Sequence, residues 1–217
     1  MHITVIGATG RTGSLVVDTA LERGHTVTAL ARSALDRSWK AGVTPVGGSV
    51  LDPRAVQEAL NGSDAVIVAI SMVRSSDFPW APILTPRDLH VRAVGVVSDI
   101  ALEHGPRRYV TISAHGVGES ESRAGWLFMA LVNNSNIGVA YADLARAEEA
   151  LAQTGLDWTV VRPTRLTNGP RTGEWVADPE LQAGNRASIS RRDVALFLVQ
   201  CAESDAHLHE RVSLTSA

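Results

Sequence analysis

The glycine-rich stretch at 5–16, VIGATGRTGSLV, constrains the fold of this chain more than any other segment. It places glycines at positions 7, 10 and 13, where an apolar run gives way to helical periodicity. A tight strand-to-helix turn needs backbone angles that a side chain obstructs. The free N–H groups at the start of such a helix also face anions, such as the phosphates of a dinucleotide. Because the stretch follows a strand pattern and opens an amphipathic helix, it predicts a dinucleotide-binding βαβ unit.

Short strand-like runs alternate with helical patterns along the rest of the chain. The runs cover 2–7, 25–32, 43–48, 64–71, 107–114, 156–163 and 211–216. The helical patterns cover 11–23, 52–62, 86–104, 141–155 and 190–204. This alternation predicts an α/β fold with a doubly wound parallel β-sheet flanked by helices and joined by right-handed crossovers. We expect residues 1–217 to form a single domain.

Two of the helical patterns carry capping signals. Asp52 precedes Pro53, which suits the first turn of a helix. Ser190 is followed by Asp193 at the third helical position, an arrangement close to a capping box. These residues predict where the second and the last helix begin.

Composition excludes several classes of protein. The formal charge is −3, from 20 basic and 23 acidic residues, which argues against a dedicated nucleic-acid or membrane-surface binder. Cys201 is the only cysteine, so no intramolecular disulfide is available, and we expect it to be a core residue in a reducing cytoplasm. No run is apolar for long enough to cross a bilayer, and the N-terminus lacks the basic region of a signal peptide. We therefore expect a cytoplasmic protein.

The end of the second strand indicates which dinucleotide binds. An NAD-preferring site usually has an acidic residue there, to bind the ribose 2′-hydroxyl. This chain has Arg32 at that point, with Ser33 beside it, and Arg11 in the glycine loop is a second candidate cation. A guanidinium group pairs with a 2′-phosphate, so we predict that NADP(H) is preferred over NAD(H). The alternative is that Arg32 is an ordinary surface arginine.

The remaining cofactor contacts are expected at the carboxyl ends of neighbouring strands. The predicted cofactor-binding residues in the first half of the chain are Gly7, Thr9, Gly10, Arg11, Thr12, Gly13, Arg32, Ser33, Ser49, Val50, Ala69, Ile70 and Ser71. The irregular segments 72–85 and 116–140 follow strand ends, where open α/β sheets bind ligands, so we expect them to form the substrate walls. Phe78, Trp80 and Trp126 lie in these segments and could stack on a flat substrate or fill the core.

Four motifs together resemble a known family. VIGATGRTGSLVV, TISAHGVG, YADLARAEEALAQTGLDWTVVRP and ISRRDVALFLVQC resemble the atypical short-chain dehydrogenase/reductases of the NmrA-like type. Within these, the chain is most similar to NADPH-dependent flavin reductases that also reduce biliverdin. The resemblance implies a Rossmann-like fold, a nicotinamide cofactor and a small C-terminal substrate lobe. The substrate-lobe segments are then expected at about 72–85, 116–140 and 164–190.

The resemblance carries over the family's catalytic residues only in part. It implies that Ser113 lies beside the nicotinamide and binds a substrate carbonyl or flavin ring, and that Pro163 and Thr164 contact the cofactor. The alternative for Ser113 is a strand-end serine satisfied by the backbone. Classical short-chain dehydrogenase/reductases pair a tyrosine with a lysine four positions on, which lowers the pKa of the tyrosine. Here Tyr141 is followed by Ala145, and no lysine occurs after position 40.

Other titratable residues offer less to the chemistry. His115 is a candidate proton donor because histidine titrates near neutrality, although a loop histidine hydrogen-bonded to the backbone is the alternative. Asp143, Glu148 and Glu149 are expected on a solvated helix face. No spacing typical of metal ligands is present, so we expect no metal site.

The sequence therefore leaves three functional hypotheses. The first is an NADPH-dependent oxidoreductase that transfers a hydride to a flavin, quinone-like or other conjugated carbonyl acceptor, with Ser113, Tyr141 and His115 as candidate catalytic residues. The second is an NADP(H)-binding redox-sensor or regulatory protein without turnover. The third is a redox-neutral tailoring enzyme, such as an epimerase or cyclase. The expected partner is a small-molecule substrate, and the chain is expected to be a monomer or homodimer.

Overall fold

The computed structural model describes all 217 residues, which form ten strands and six α-helices. The strands are β1 (His2–Ile6), β2 (Thr26–Ala31), β3 (Val43–Gly47), β4 (Ala65–Val68), β5 (Arg108–Ile112), β6 (Asp157–Pro163), β7 (Arg165–Thr167), β8 (Trp175–Asp178), β9 (Ser188–Ser190) and β10 (Glu210–Ser216). The helices are α1 (Gly13–Glu22), α2 (Pro53–Leu60), α3 (Leu89–His104), α4 (Trp126–Asn133), α5 (Ile137–Ala152) and α6 (Arg191–Glu203), with a 3₁₀ helix at Gly118–Arg123. None of the helices combines the length and the apolar character that a bilayer span requires.

Eight strands form one mostly parallel sheet in the order β3-β2-β1-β4-β5-β6-β10-β8. Every neighbouring pair is parallel except β10 with β8, which is antiparallel. The predicted doubly wound, Rossmann-like sheet is therefore confirmed. The strand order reverses between β1 and β4, and in such sheets the crevice outside the carboxyl ends at this point binds ligands.

The core has two halves, one on each face of the sheet. Along β1, Ile3 and Val5 pack with α1 and α6, whereas Ile6 belongs to the cluster that contains α2, α3 and α5. Alternate residues of a strand point to opposite faces, so β1 must be apolar on both sides. Cys201 lies in the first cluster and is 2% exposed, which confirms that it is a core residue.

Both predicted capping signals are present in the structure. The Asp52 carboxylate accepts a hydrogen bond from the Arg54 backbone N–H at 3.0 Å, and Pro53 is the first residue of α2. The Ser190 hydroxyl accepts from the Asp193 backbone N–H at 3.0 Å and donates to the Asp193 carboxylate at 2.6 Å. These bonds satisfy donors that a helix start otherwise leaves unpaired.

The chain between 116 and 190 is more regular than the sequence predicts. Helix α4 and strands β7, β8 and β9 were not predicted, and α5 begins at Ile137 rather than at 141. Strands of three or four residues are too short to show a period, and α4 has the sequence WLFMALVN, which lacks a polar face and a side-chain cap. The predicted helix from 86 begins only at Leu89.

The close packing of α1 against β1 depends on Gly13. A Cβ atom on Gly13 would overlap the carbonyl oxygen of Gly7, whereas one on the exposed Gly95 of α3 would meet no atom within 4 Å. We expect Gly13→Ala to lower the free energy of unfolding by about 2 kcal/mol or more, as overpacking does. Gly95→Ala is the matched control and should raise it by about 0.5–1 kcal/mol. Urea unfolding followed by circular dichroism measures both, and an equal effect of the two substitutions would contradict the packing argument.

Candidate functional site

The glycine loop between β1 and α1 is compact because two of its glycines have no room for a side chain. Gly7 has a φ of +84°, and a Cβ there would lie 2.5 Å from the carbonyl oxygen of Ala69 at the end of β4. The N–H of Gly10 donates to the Gly7 carbonyl at 2.9 Å, which closes the turn. The loop therefore brings the start of α1 directly against the carboxyl ends of β1 and β4.

The start of α1 presents unpaired donors. The backbone N–H groups of Arg11, Thr12 and Gly13 donate to no acceptor in the chain, and the Thr12 side chain does not cap the helix. Free amides at the positive end of a helix form a site for a phosphate group. The loop thus fits the pyrophosphate of a nicotinamide dinucleotide.

A cavity of about 260 Å³ lies on the β2 side of the glycine loop. It brings together ten of the predicted cofactor-binding residues: Gly7, Thr9, Gly10, Arg32, Ser33, Ser49, Val50, Ala69, Ile70 and Ser71. Arg32 is exposed and forms no ion pair within the chain, and the Ser33 hydroxyl donates to Thr9 Oγ1 at 3.0 Å. The unpaired guanidinium group of Arg32 suits an anionic ligand.

Two further cavities continue this one along the carboxyl edge of the sheet. The middle cavity, about 280 Å³, shares Gly10 and Ser71 with the first and reaches Ser113. The third cavity, about 290 Å³, shares Ser113 and Arg191 with the middle one. The three cavities form one cleft. Arg11 and Thr12 line its middle part, Pro163 and Thr164 line its far end, and Gly13 is buried beneath the loop.

Ser113 lies at the centre of the cleft, on a buried charged network. Its hydroxyl donates to Glu148 Oε1 at 2.5 Å. Glu148 also accepts from Arg162, which is 1% exposed, and lies 3.3 Å from Arg211 Nε. Arg162 binds Glu119 as well, at 2.7 and 3.0 Å. Since the Ser113 proton is directed at Glu148, the hydroxyl presents its lone pairs to the cleft.

Opposing effects set the protonation of this network. Burial raises the pKa of the Glu148 carboxyl, and the guanidinium groups of Arg162 and Arg211 oppose that rise. Although burial alone would lower the pKa of Arg162, its two carboxylate partners raise it. Arg162 also lowers the pKa of Glu119 to about 2. Arg162 is therefore charged, and its charge is compensated inside the protein.

The expected solvated face of α5 is wrong for two of its three acidic residues. Glu148 and Asp143 are buried, and only Glu149 is exposed. The Asp143 carboxylate accepts from the backbone N–H of His90 at 2.7 Å and lies 2.9 Å from His90 Nδ1, which ties α5 to the start of α3. Each buried carboxylate thus has its own partner from a distant part of the chain.

Tyr141 and His115 meet at the far end of the cleft, where both line the third cavity. The Tyr141 hydroxyl donates to the His115 carbonyl at 3.4 Å, and burial raises the pKa of Tyr141. The His115 ring is buried, with Nε2 donating to the Arg123 carbonyl at 3.3 Å and Nδ1 lying 3.0 Å from Ser213 Oγ. Burial lowers the pKa of His115. Both imidazole nitrogens are thus engaged by the protein, as in the alternative of a hydrogen-bonded loop histidine.

The three aromatic residues predicted to bind substrate lie outside the cleft. Phe78 and Trp80 are exposed, with ring centroids 5.2 Å apart, and Trp126 is 75% exposed at the start of α4. None of them lines the three cavities. Phe128 lines the third cavity instead, edge-on to Tyr141. Sequence reasoning missed Phe128 because helix α4, which carries it, was not predicted.

Comparison with known proteins agrees with this geometry. A family model described as NAD(P)H-binding matches residues 7–205. The chain belongs to this NAD(P)H-binding family. The match confirms the resemblance to this group of proteins, and the matched residues include the glycine loop from Gly7 onward.

Relatives within and around the family have diverse names. The chain is 30% identical, over 95% of its length, to the photosystem II assembly factor Ycf39 of Synechocystis, of which it spans 60%. It is 26% identical, over 92% of its length, to the uncharacterized sugar epimerase YhfK of Bacillus subtilis, of which it spans 86%. The structure of ChuY, an anaerobillin reductase from Escherichia coli O157:H7, has the same fold, with a TM-score of 0.78 at 22% identity, covering 100% of this chain and 97% of that one.

The buried ion pair of Glu148 and Arg162 predicts how the free energy of unfolding responds to substitution. Removing Glu148 leaves the buried Arg162 with only the half-exposed Glu119 as its carboxylate partner, so we expect Glu148→Ala to cost about 3–5 kcal/mol in free energy of unfolding. Its neighbour Glu149, 73% exposed and paired with Arg211, is the matched control, and Glu149→Ala should cost under about 1 kcal/mol. Chemical denaturation of both variants measures the difference. Similar losses would show that the network does not stabilise the fold.

Proposed function

We propose that this protein is an NADPH-dependent reductase whose acceptor is a flavin, a quinone-like compound or another conjugated carbonyl. The observation that carries the proposal is the continuous cleft, which runs from the unpaired Arg32 past the glycine loop to Ser113. It fits an extended dinucleotide with its reactive ring beside an adjoining cavity, and a bound nicotinamide would supply the hydride. The fold shared with ChuY, an anaerobillin reductase, is compatible with this proposal.

Different residues of the chain would bind different parts of the cofactor. Arg32 and Ser33 would hold the 2′-phosphate, and the amides of Arg11, Thr12 and Gly13 would hold the pyrophosphate. Pro163 and Thr164 would flank the nicotinamide end, where they line the third cavity. This assignment makes NADP(H) the preferred cofactor over NAD(H).

The same residues limit what the acceptor can be. Tyr141 has no lysine partner, its pKa is raised by burial, and its hydroxyl faces a carbonyl of the protein, so it is a poor proton donor. The Ser113 proton is held by Glu148. An acceptor that takes its proton from water, as a flavin does, suits this site better than a simple ketone, which needs a proton from the enzyme.

A second candidate function is redox-neutral or regulatory binding of NADP(H). The observation in its favour is the same engaged Tyr141, since a site without a working acid–base residue can bind a nicotinamide without turning it over. The relative named an assembly factor is compatible with binding without turnover, and the relative named a sugar epimerase is compatible with a reaction that has no net redox change. A redox-neutral tailoring enzyme would likewise bind NADP(H) without net oxidation of the cofactor.

Arg32 offers the sharpest test of the proposal. When the protein is added to NADPH and a panel of flavins and quinones, NADPH should be oxidised. Absorbance at 340 nm should then fall at a rate that depends on the concentration of the enzyme. Replacing the 2′-phosphate contact by a carboxylate in Arg32→Glu should raise the KM for NADPH about 10- to 100-fold, with a far smaller effect on NADH. The exposed Arg54, on α2 and outside the cleft, gives the control Arg54→Glu, which should match the wild type.

Each other outcome has a definite meaning. If Arg32→Glu weakened the binding of NADPH and of NADH equally, the assignment of Arg32 to the 2′-phosphate would be contradicted. NADPH binding in calorimetry without turnover of any acceptor would favour the regulatory or redox-neutral function.

A further inference from the structure

The acceptor half of the cleft is lined by arginines and by no acidic residue, and among these arginines only Arg11 forms an ion pair, with the exposed Asp77 at 3.4 Å. Arg165 and Arg191 line the third cavity, and Arg191 also lines the middle cavity with Arg11 and Arg74. No aspartate or glutamate lines either cavity. The chain as a whole carries a formal charge of −3, so this local excess of arginine is a property of the cleft and not of the composition.

The two arginines of the third cavity have no anionic partner in the chain. Arg165 makes no side-chain hydrogen bond or ion pair, and Arg191 donates only to the neutral amide oxygen of Asn168, at 2.7 Å. Asn185 completes the wall with a further donor. Its amide oxygen accepts from two backbone N–H groups at the start of α4, at 3.2 and 3.3 Å, which leaves its NH₂ group unpaired.

Arginines elsewhere near the cleft are compensated within the protein. Arg162 binds Glu148 and Glu119, and Arg123 pairs with Glu180. Arg191 is instead half-buried and has no ion-pair partner; burial and the charge of Arg11 lower its pKa, and the charge of Asp77 only partly opposes that shift. Burying the charged guanidinium group of Arg191 without a counter-ion costs free energy, and a bound anion would offset that cost.

The cofactor accounts for only part of this charge. On the proposed function, the pyrophosphate lies on the glycine loop beside Arg11 and the 2′-phosphate lies at Arg32. The third cavity adjoins the middle one at Ser113 and Arg191 and is lined by neither Arg11 nor Arg32, and Arg165 and Asn185 line only this cavity. A guanidinium group binds carboxylate and phosphate oxygens with two parallel hydrogen bonds, and a neutral acceptor would leave both arginines unpaired.

We propose that Arg165, Arg191 and Asn185 form a subsite for a carboxylate or phosphate group carried by the acceptor. The inference rests on the proposed function, because the cofactor's own phosphates are assigned to the other half of the cleft. The acceptor is then an anionic conjugated compound, held by its charged group at β7 and α6, with its reducible ring toward Ser113.

FMN and riboflavin test this directly, because they differ only in the 5′-phosphate. Flavin fluorescence, measured as the protein is added in low salt with saturating NADP⁺, gives both dissociation constants. We expect FMN to bind about tenfold or more tightly than riboflavin, as a charge-assisted hydrogen-bonded pair requires. Arg165→Ala and Arg191→Gln should each bring that ratio close to one. Inorganic phosphate should compete with FMN and not with riboflavin.

Arg192 provides the matched control. It follows Arg191 in α6, is exposed and lines neither cavity, so Arg192→Ala should keep the wild-type ratio. Equal binding of the two flavins by the wild type, binding of neither, or a ratio that survives both Arg165→Ala and Arg191→Gln would overturn the subsite.

The reductase proposal and the subsite fail in different ways. Selective FMN binding without NADPH oxidation would refute the reductase and leave the anion subsite standing. Equal reduction of FMN and riboflavin at matched concentrations below KM would support the reductase and refute the subsite.

Discussion

The site depends on the absence of side chains at Gly7 and Gly13. A Cβ on Gly13 would overlap the Gly7 carbonyl, and one on Gly7 would overlap the Ala69 carbonyl, so β1, β4 and α1 converge only with glycine at both points. This convergence places the unpaired amides at the start of α1 on the switch point of the sheet. The packing of the first βαβ unit and the anion site are therefore one constraint, and neither can change without the other.

Charge in the molecule is organised around the same edge of the sheet. Behind Ser113, the Arg162 guanidinium is buried and compensated by Glu148 and Glu119, so its charge is satisfied within the protein and is not available to a ligand. In front of Ser113, Arg32 and Arg165 are open to the cleft and have no carboxylate partner. Internal compensation on one side and its absence on the other distinguish structural arginines from those that we assign to ligands.

Much of the fold follows from local signals in the sequence. The glycine spacing, the Asp52 cap and the Ser190–Asp193 cap depend on residues close together in the chain, and the structure has all three. The parallel, doubly wound character of the sheet follows from the alternation of strands with helices. Elements without a period escaped prediction: α4 is apolar all round, and β7 and β9 have three residues each.

The site was less predictable because its partners lie on different elements, and no local period shows which side chains meet. Glu148 was assigned to a solvated face because its helix is polar, yet its partner Arg162 lies on β6. A signal was present: Arg162 interrupts the apolar strand TVVRP, and a buried arginine requires a carboxylate.

The measurement that most directly tests the account is amide hydrogen exchange across residues 7–13, with and without NADPH. The account predicts slower exchange at Arg11, Thr12 and Gly13 when NADPH is bound. Unchanged exchange at these three amides at saturating NADPH would contradict it.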